Sequence, residues 1–92
     1  MKENETIRQI REYLKTVPDC FFWKEHGNEF SAGIPDIIAC VKGRFVAFEV
    51  KAANGKTTVL QEVTLRRIRK AGGTAEVVRS VGEARAVIEK LR

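Results

Sequence analysis

The sequence predicts an α/β fold in which helices flank a mixed β-sheet. Apolar residues near the amino terminus have the spacing of an amphipathic helix, and two apolar runs separated only by Lys42 and Gly43 form a β-hairpin. A helical segment and a further strand follow the hairpin. Because a strand that rejoins the sheet through a helix can run parallel to its neighbour, we expect a mixed sheet with helices packed on it.

Size and charge limit the architecture and the partners. The chain has 92 residues, 43% of them hydrophobic, so we expect one domain over residues 1–92 with one modest core. Seventeen Lys and Arg against 12 Asp and Glu leave a formal charge of +5, which favours a polyanionic partner such as nucleic acid. A basic domain without such a partner is the alternative that charge alone leaves open.

Cysteine usage and the amino terminus indicate the compartment. Cys20 and Cys40 lie outside any CxxC or metal-ligand spacing, so we expect two reduced strand residues. The first 14 residues are charged and amphipathic, without the apolar run of a signal peptide or a membrane span. We therefore expect a cytoplasmic protein that does not bind membranes.

The first half of the chain contains a helix and three strands. The helix ends before Pro18, and its apolar positions recur at intervals of three and four: Ile7, Ile10, Leu14 and Val17. Residues 20–25 are typical of a short strand and residues 27–33 of a loop. Residues 34–41 and 44–51 are the two strands of the hairpin.

The second half alternates helix and strand. A helix is expected to begin near Thr57 or Thr58 and to end at Gly72 and Gly73, where glycine supplies the left-handed geometry of a helix end. Residues 74–80 form a strand, and Ser80 and Glu83 cap a last helix. The inner face of that helix holds four apolar residues: Ala84, Val87, Ile88 and Leu91. The predicted order is α-β-β-β-α-β-α.

The hairpin register brings three ionisable residues together. If Lys42 and Gly43 form a two-residue turn, facing residue numbers sum to 85, and Asp36 lies opposite Glu49. Lys51 shares that face because side chains two positions apart on a strand point to the same side. The rest of the face is apolar enough that we expect a helix to cover it: Ile38, Cys40, Phe45 and Ala47.

Opposed carboxylates at this position indicate a metal site. Like charges facing each other across a sheet are destabilising unless something neutralises them. Two carboxylates suit Mg²⁺, which prefers oxygen ligands and usually keeps waters that a phosphate can displace. Lys51 could then hold or help to deprotonate the attacking water. The alternative is that Asp36, Glu49 and Lys51 are solvated charges at the end of an exposed hairpin.

Helical geometry adds two residues to the predicted site. Glu3 projects to the same side as Ile7 and Ile10, whereas Glu5 points away from them. Gln61 falls on the apolar stripe of its helix, which places an uncharged hydrogen-bonding group among core-facing residues. The alternatives are a solvated helix end for Glu3 and an ordinary boundary residue for Gln61.

The segments GIPD at residues 33–36 and EVK at 49–51, with Gln61 ten residues later, resemble the PD-(D/E)xK nuclease superfamily. Within it the chain is most similar to the VRR-NUC domain, the virus-type replication and repair nuclease module, and the similarity covers nearly the whole chain. The resemblance implies a restriction-endonuclease-like αβββαβ core, here followed by a C-terminal helix, and a bacterial or phage-infected host cell.

The resemblance also implies site residues, a cofactor and partners. Asp36 and Glu49 match the metal-binding acids, Lys51 matches the catalytic lysine, and Val50 would lend its backbone carbonyl to the metal. Gln61 and Glu3 match the family glutamine and the acid of the first helix. The implied reaction is hydrolysis of DNA phosphodiesters with Mg²⁺ or Mn²⁺ and no nucleotide cofactor. Stand-alone members of this size look like homodimers that cut branched DNA such as four-way (Holliday) junctions.

Surface residues leave the DNA and dimer contacts open. Four residues are candidates for DNA contacts: Lys24, His26, Lys42 and Arg44. Arg66, Arg67, Arg69 and Lys70 form a basic arc that is either a solvated helix face or a DNA contact. Phe21, Phe22 and Trp23 could stack on unpaired bases, although core packing is the favoured reading.

Two further alternatives concern function and assembly. A homodimer would pair two sites for symmetric cuts, with residues 20–23 and the first helix as candidate interface, whereas a monomer would nick one strand at a time. The fold could also serve a catalytically silent DNA-binding module, or a structural subunit in which Lys51 forms a salt bridge with an acid.

Overall fold

The computed structural model describes residues 2–27 and 32–91, so residues 28–31 of the predicted loop lie outside the described part. Seven elements occur in the predicted order: α1 (Glu3–Leu14), β1 (Cys20–Lys24), β2 (Ile37–Val41), β3 (Arg44–Val50), α2 (Val59–Lys70), β4 (Thr74–Val78) and α3 (Val81–Leu91). The α/β fold class is confirmed, although β2 begins three residues later than predicted.

The sheet is mixed, with the strand order β1-β2-β3-β4. The first three strands are antiparallel, and β4 runs parallel to β3 after the crossover through α2. Val41 pairs with Arg44 and Ile37 with Phe48, so the predicted hairpin register is confirmed. Lys42 and Gly43 both have positive φ angles, of 50° and 82°, as a tight two-residue hairpin turn requires.

One face of the sheet forms the main core with α1 and α3. From the helices it buries the apolar residues predicted to face inward, including Ile7, Ile10 and Leu14 of α1 and Ala84 and Ile88 of α3. Phe48 is the largest side chain that is fully buried in this core. These contacts fix the sheet between the two terminal helices.

The other face is covered only in part, which corrects one prediction. Leu65 of α2 packs with Ile38, Ala47 and Ala75, so α2 lies over the β3 and β4 side of the sheet. Cys40 is exposed, and Phe45 keeps 45% of its surface exposed. One helix of 12 residues, about 18 Å long, leaves the β1 side uncovered because it follows the crossover to β4.

The aromatic residues of β1 divide between the two faces. Phe22 packs against the main core, in agreement with the prediction. For Phe21 and Trp23 the expectation of a core position is wrong, since they are 68% and 46% exposed. The cause is strand alternation, which points these two side chains to the uncovered face.

Helix caps explain where α2 and α3 begin. Thr58 accepts a hydrogen bond from the Gln61 backbone N–H at 3.1 Å, and the Gln61 side chain accepts one from the Thr58 N–H at 2.9 Å. Ser80 Oγ accepts from the Glu83 N–H at 3.1 Å, but the Glu83 carboxylate accepts from the Arg79 N–H. In this second cap, the backbone N–H that donates to the Glu83 carboxylate is therefore that of Arg79, one residue before Ser80.

Both cysteines are free and lie in strands, as predicted. Burial, and to a smaller extent Cys40, raise the pKa of the Cys20 thiol, which keeps it protonated. Across residues 2–27 and 32–91, every helix is too short or too polar to cross a membrane.

Candidate active site

Asp36 lies where the chain enters β2, next to the end of β3. Its Oδ2 accepts a hydrogen bond from the Val50 backbone N–H at 2.8 Å, and its own carbonyl accepts one from the Glu25 N–H. The residue is half-buried. These bonds hold the Asp36 carboxylate on the strand that carries Glu49.

Glu49 is the most unusual charged residue of the described chain, because its side chain is buried in β3 with only 3% of the residue exposed. Its Oε2 accepts from Gln61 Nε2 at 3.3 Å and lies 3.9 Å from Lys51 Nζ. Its Oε1 is buried and has no hydrogen-bond partner among the described residues. A buried oxygen without a partner is costly in free energy, and this atom is therefore suited to contact a cation.

The surroundings of Glu49 favour its neutral form when no cation is bound. Burial, and then the adjacent Asp36 carboxylate, raise the pKa of Glu49 to about 8. The Lys51 ammonium opposes this shift, and Glu3 adds to it. The pair therefore holds a proton near neutral pH, which a cation could displace.

Lys51 and Gln61 approach Glu49 from two elements. Lys51 directly follows β3, where its backbone N–H donates to the Val78 carbonyl at 3.0 Å, and its side chain is only 13% exposed. Gln61 lies in the first turn of α2. Because the oxygen of its side-chain amide accepts from Thr58, the NH₂ group faces Glu49.

Of the two candidate acids in α1, the structure places Glu3 beside the site. Glu3 Oε2 accepts from the Ala52 backbone N–H at 3.4 Å, immediately after Lys51. Glu5 is exposed and pairs with Arg8, and the hydrogen bond between them lowers the pKa of Glu5. The geometry therefore separates the two residues as the helical projection predicted.

Arg79 is a neighbour of the site that sequence reasoning missed. Its guanidinium Nη1 donates to the carbonyls of Ala52 at 2.5 Å and Gly55 at 2.8 Å, with Ala53 at 3.4 Å. It thus holds the loop that connects Lys51 to α2. The parallel pairing of β3 with β4 could have indicated this position. Because Val78 pairs with Val50, residue 79 must lie at the same end of the sheet as the residue that follows Val50.

The chemistry of this donor set fits a divalent cation. Asp36 and Glu49 offer adjacent carboxylates, one with an unpartnered buried oxygen. In the described part of the chain, His, Cys, Asp and Glu side chains form no group of three or more placed to hold a metal ion. Two carboxylates nevertheless suffice for Mg²⁺, which usually keeps several waters in its coordination shell.

The four residues predicted to contact DNA do not form one cluster. Lys24 ends β1, where it pairs with Ile37 next to Asp36, and His26 is exposed just beyond it. Lys42 and Arg44 are exposed at the hairpin turn, at the opposite end of the hairpin from Asp36. The five residues of β2 separate the two groups by about 17 Å, at about 3.4 Å per residue.

Comparison with solved structures shows which family the chain is similar to. A structure named VRR_NUC domain matches this chain with a TM-score of 0.82 and 26% identity, over 100% of this chain and 99% of that one. This similarity supports a VRR-NUC domain. A second structure, named VRR_NUC domain protein, shares the fold at a TM-score of 0.80 and 20% identity, over 97% of this chain and 86% of the other. No family model and no curated protein matches the sequence.

The assignment gives a broad functional class. A VRR-NUC domain is a nuclease-type domain, so the predicted restriction-endonuclease-like fold and the nuclease class are confirmed. Asp36 immediately precedes β2, Glu49 lies near the end of β3, and Lys51 follows β3. The three side chains therefore lie at the end of the sheet from which the loop leads to α2.

Proposed function

We propose that this VRR-NUC domain is a metal-dependent endonuclease that hydrolyses phosphodiester bonds of DNA. The observation that supports the proposal is the buried Glu49 carboxylate, which has an unpartnered oxygen next to Asp36 and lies 3.9 Å from the Lys51 ammonium. A structural salt bridge would not place a second acid against Glu49. The arrangement suits a site that binds a cation and a phosphate.

The proposed roles combine these contacts with the family resemblance, which alone implies the role of the Val50 carbonyl. Asp36, Glu49 and the Val50 carbonyl would hold Mg²⁺ or Mn²⁺, which when bound polarises a phosphate and makes its water more acidic. Lys51 would orient the attacking water, and its positive charge would stabilise the hydroxide that the water forms when it loses a proton to solvent. Gln61 positions Glu49 through its NH₂ group, and Glu3 helps to hold the backbone that follows Lys51.

Single substitutions test the chemistry. Asp36→Ala, Glu49→Ala and Lys51→Ala should each abolish cleavage while the protein stays folded, and EDTA should stop the wild type. Lys90→Ala is the matched control, because Lys90 is an exposed lysine in the last turn of α3. Labelled four-way, flap and linear DNAs with Mg²⁺, with Mn²⁺ or with EDTA are the substrates to compare. Wild-type cleavage by Lys51→Ala would refute the mechanism, and DNA binding without any cleavage would support a silent DNA-binding module.

We further propose a homodimer that acts on branched DNA such as four-way junctions. Two-fold pairing of sites is the simplest way for so small a nuclease to cut two strands symmetrically. The apolar face of α1 is buried in the main core, which removes it as a candidate interface. Phe21 remains, exposed on the edge strand β1. Light scattering should give twice the 10.4 kDa chain mass, and mixing in Glu49→Ala chains should yield junctions nicked on one strand.

A further inference from the structure

The sheet face that α2 leaves uncovered holds a continuous groove. Three adjoining cavities, of about 490, 350 and 440 Å³, share Phe45 as a lining residue. Ile34, Ile68 and Thr64 line the first two. Trp23 lies at one end of the groove and Arg44 at the other. The lining is mainly apolar, and the cavity sizes are those of small-ligand sites.

The groove exposes flat apolar groups to solvent. Trp23 and Phe45 are 46% and 45% exposed, and Ile34 is 43% exposed. Three large apolar side chains on one surface favour contact with a ligand, because leaving them in water is unfavourable. Aromatic rings at an open sheet surface are suited to stacking on nucleic-acid bases.

The positive charge of the groove favours an anionic ligand. Arg67 lines the largest cavity and Arg44 the adjoining one. Neither side chain makes a hydrogen bond or an ion pair with the described residues, so both guanidinium groups are free to meet a phosphate. Among the described lining residues only Glu25 is acidic, and it accepts a hydrogen bond from Trp23 Nε1 at 3.3 Å. The groove thus combines a flat apolar wall with positive charge.

We propose that this groove binds an unpaired nucleotide of the DNA substrate, with the base against Phe45 and the phosphate at Arg67. The inference rests on the proposed nuclease function and specifies its substrate as DNA with unpaired bases beside a duplex. Phe45 precedes Glu49 by four residues on the same strand and face, which places them roughly 13 Å apart at about 3.3 Å per residue. That distance corresponds to the rise of about four nucleotides along the axis of a duplex.

Binding without cleavage is the decisive measurement. In EDTA, fluorescence anisotropy compares a labelled duplex that carries a short single-stranded arm with a blunt duplex of equal length. Phe45→Ala should weaken binding of the armed DNA by about 5- to 150-fold and leave the blunt duplex unchanged. Phe45→Leu keeps an apolar side chain without the ring and should show the same loss. Circular dichroism confirms that both variants are folded.

The arginine and the single tryptophan give two independent readouts. Arg67→Gln should weaken binding and reduce the slope of log affinity against log salt by about one phosphate contact. Arg66→Gln is the matched control, since Arg66 is the adjacent exposed arginine and lines none of the three cavities. Trp23 is the only tryptophan of the chain, so the armed DNA should quench its fluorescence and the blunt duplex should not.

Three results would overturn the inference. Equal losses on armed and blunt DNA, or no loss in either, would show that the groove does not read unpaired nucleotides. A halved mass of Phe45→Ala by light scattering with unchanged DNA affinity would assign the groove to contact between copies of the chain. A cleavage assay on linear duplex separates the groove proposal from the nuclease proposal. A wild-type protein that binds armed DNA preferentially but never cleaves DNA would support the nucleotide-binding groove and refute the nuclease function.

Discussion

Replacing Glu49 by glutamine should stabilise the metal-free protein at neutral pH. Burial, together with the adjacent Asp36 carboxylate, raises the pKa of Glu49 from 4.5 to about 8. Between these values the folded protein holds a proton that the unfolded chain has released. Stability therefore falls as pH rises through this window, because the native state binds more protons than the unfolded state.

The size of the effect follows from the shift. At about 1.4 kcal/mol per pK unit, the metal-free wild type should lose on the order of 3 kcal/mol of stability between pH 4.5 and 7. Glutamine mimics the protonated acid, since its oxygen can accept from Gln61 and its NH₂ can donate to Asp36. The Glu49→Gln variant should thus match the wild type near pH 4.5 and exceed it by about 3 kcal/mol at pH 7.

Urea unfolding in EDTA at several pH values measures the difference. Glu76→Gln is the matched control, because Glu76 is an exposed glutamate in the neighbouring strand β4 and should leave the pH profile unchanged. Adding Mg²⁺ or Mn²⁺ should stabilise the wild type and leave Glu49→Gln nearly unaffected. If the wild-type and Glu49→Gln profiles ran parallel from pH 5 to 8, the Glu49 carboxyl would not be the destabilising group.

Three further substitutions test the supports of the site. Arg79→Gln should cost about 2 kcal/mol and speed hydrogen exchange of amides 52–58, because the loop loses its charged donor. Thr58→Val should lower the free energy of unfolding in urea by about 1 kcal/mol, because the Gln61 backbone N–H loses its acceptor, whereas Thr58→Ser should restore it. Gly33→Ala should lower the thermal midpoint, since its φ is 86° and the new Cβ would lie 2.7 Å from a side chain; Gly27→Ala, which meets nothing within 4 Å, should not.

The hairpin part of the site was predictable because its register depends on local residues. The Lys42–Gly43 turn fixes which residues face each other, and side-chain alternation then brings Asp36, Glu49 and Lys51 to one place. Gln61 was predictable from helical periodicity. The role of Thr58 in orienting the Gln61 amide was not predicted, although the same two residues form the cap of α2.

The uncovered face was not predictable from alternation alone. The pattern of β3 shows that Phe45 and Ala47 share a face, but the packing of α2 decides that Ala47 is buried and Phe45 is not. That packing depends on the crossover to β4 rather than on any local pattern. Arg79 escaped prediction for a related reason, since its partners are the carbonyls of a loop more than twenty residues earlier.

Two long-range contacts hold the loop after Lys51 at the same residue. Glu3 accepts from the Ala52 N–H, and Arg79 donates to the Ala52 carbonyl, so α1 and the end of β4 grip one residue from both sides. The Lys51 backbone is also bonded to Val78. The backbone position of Lys51 is therefore set by protein contacts alone, whereas the charge state of Glu49 depends on what neutralises its carboxylate. Removing a bound cation should accordingly alter the acid pair and leave the lysine in place.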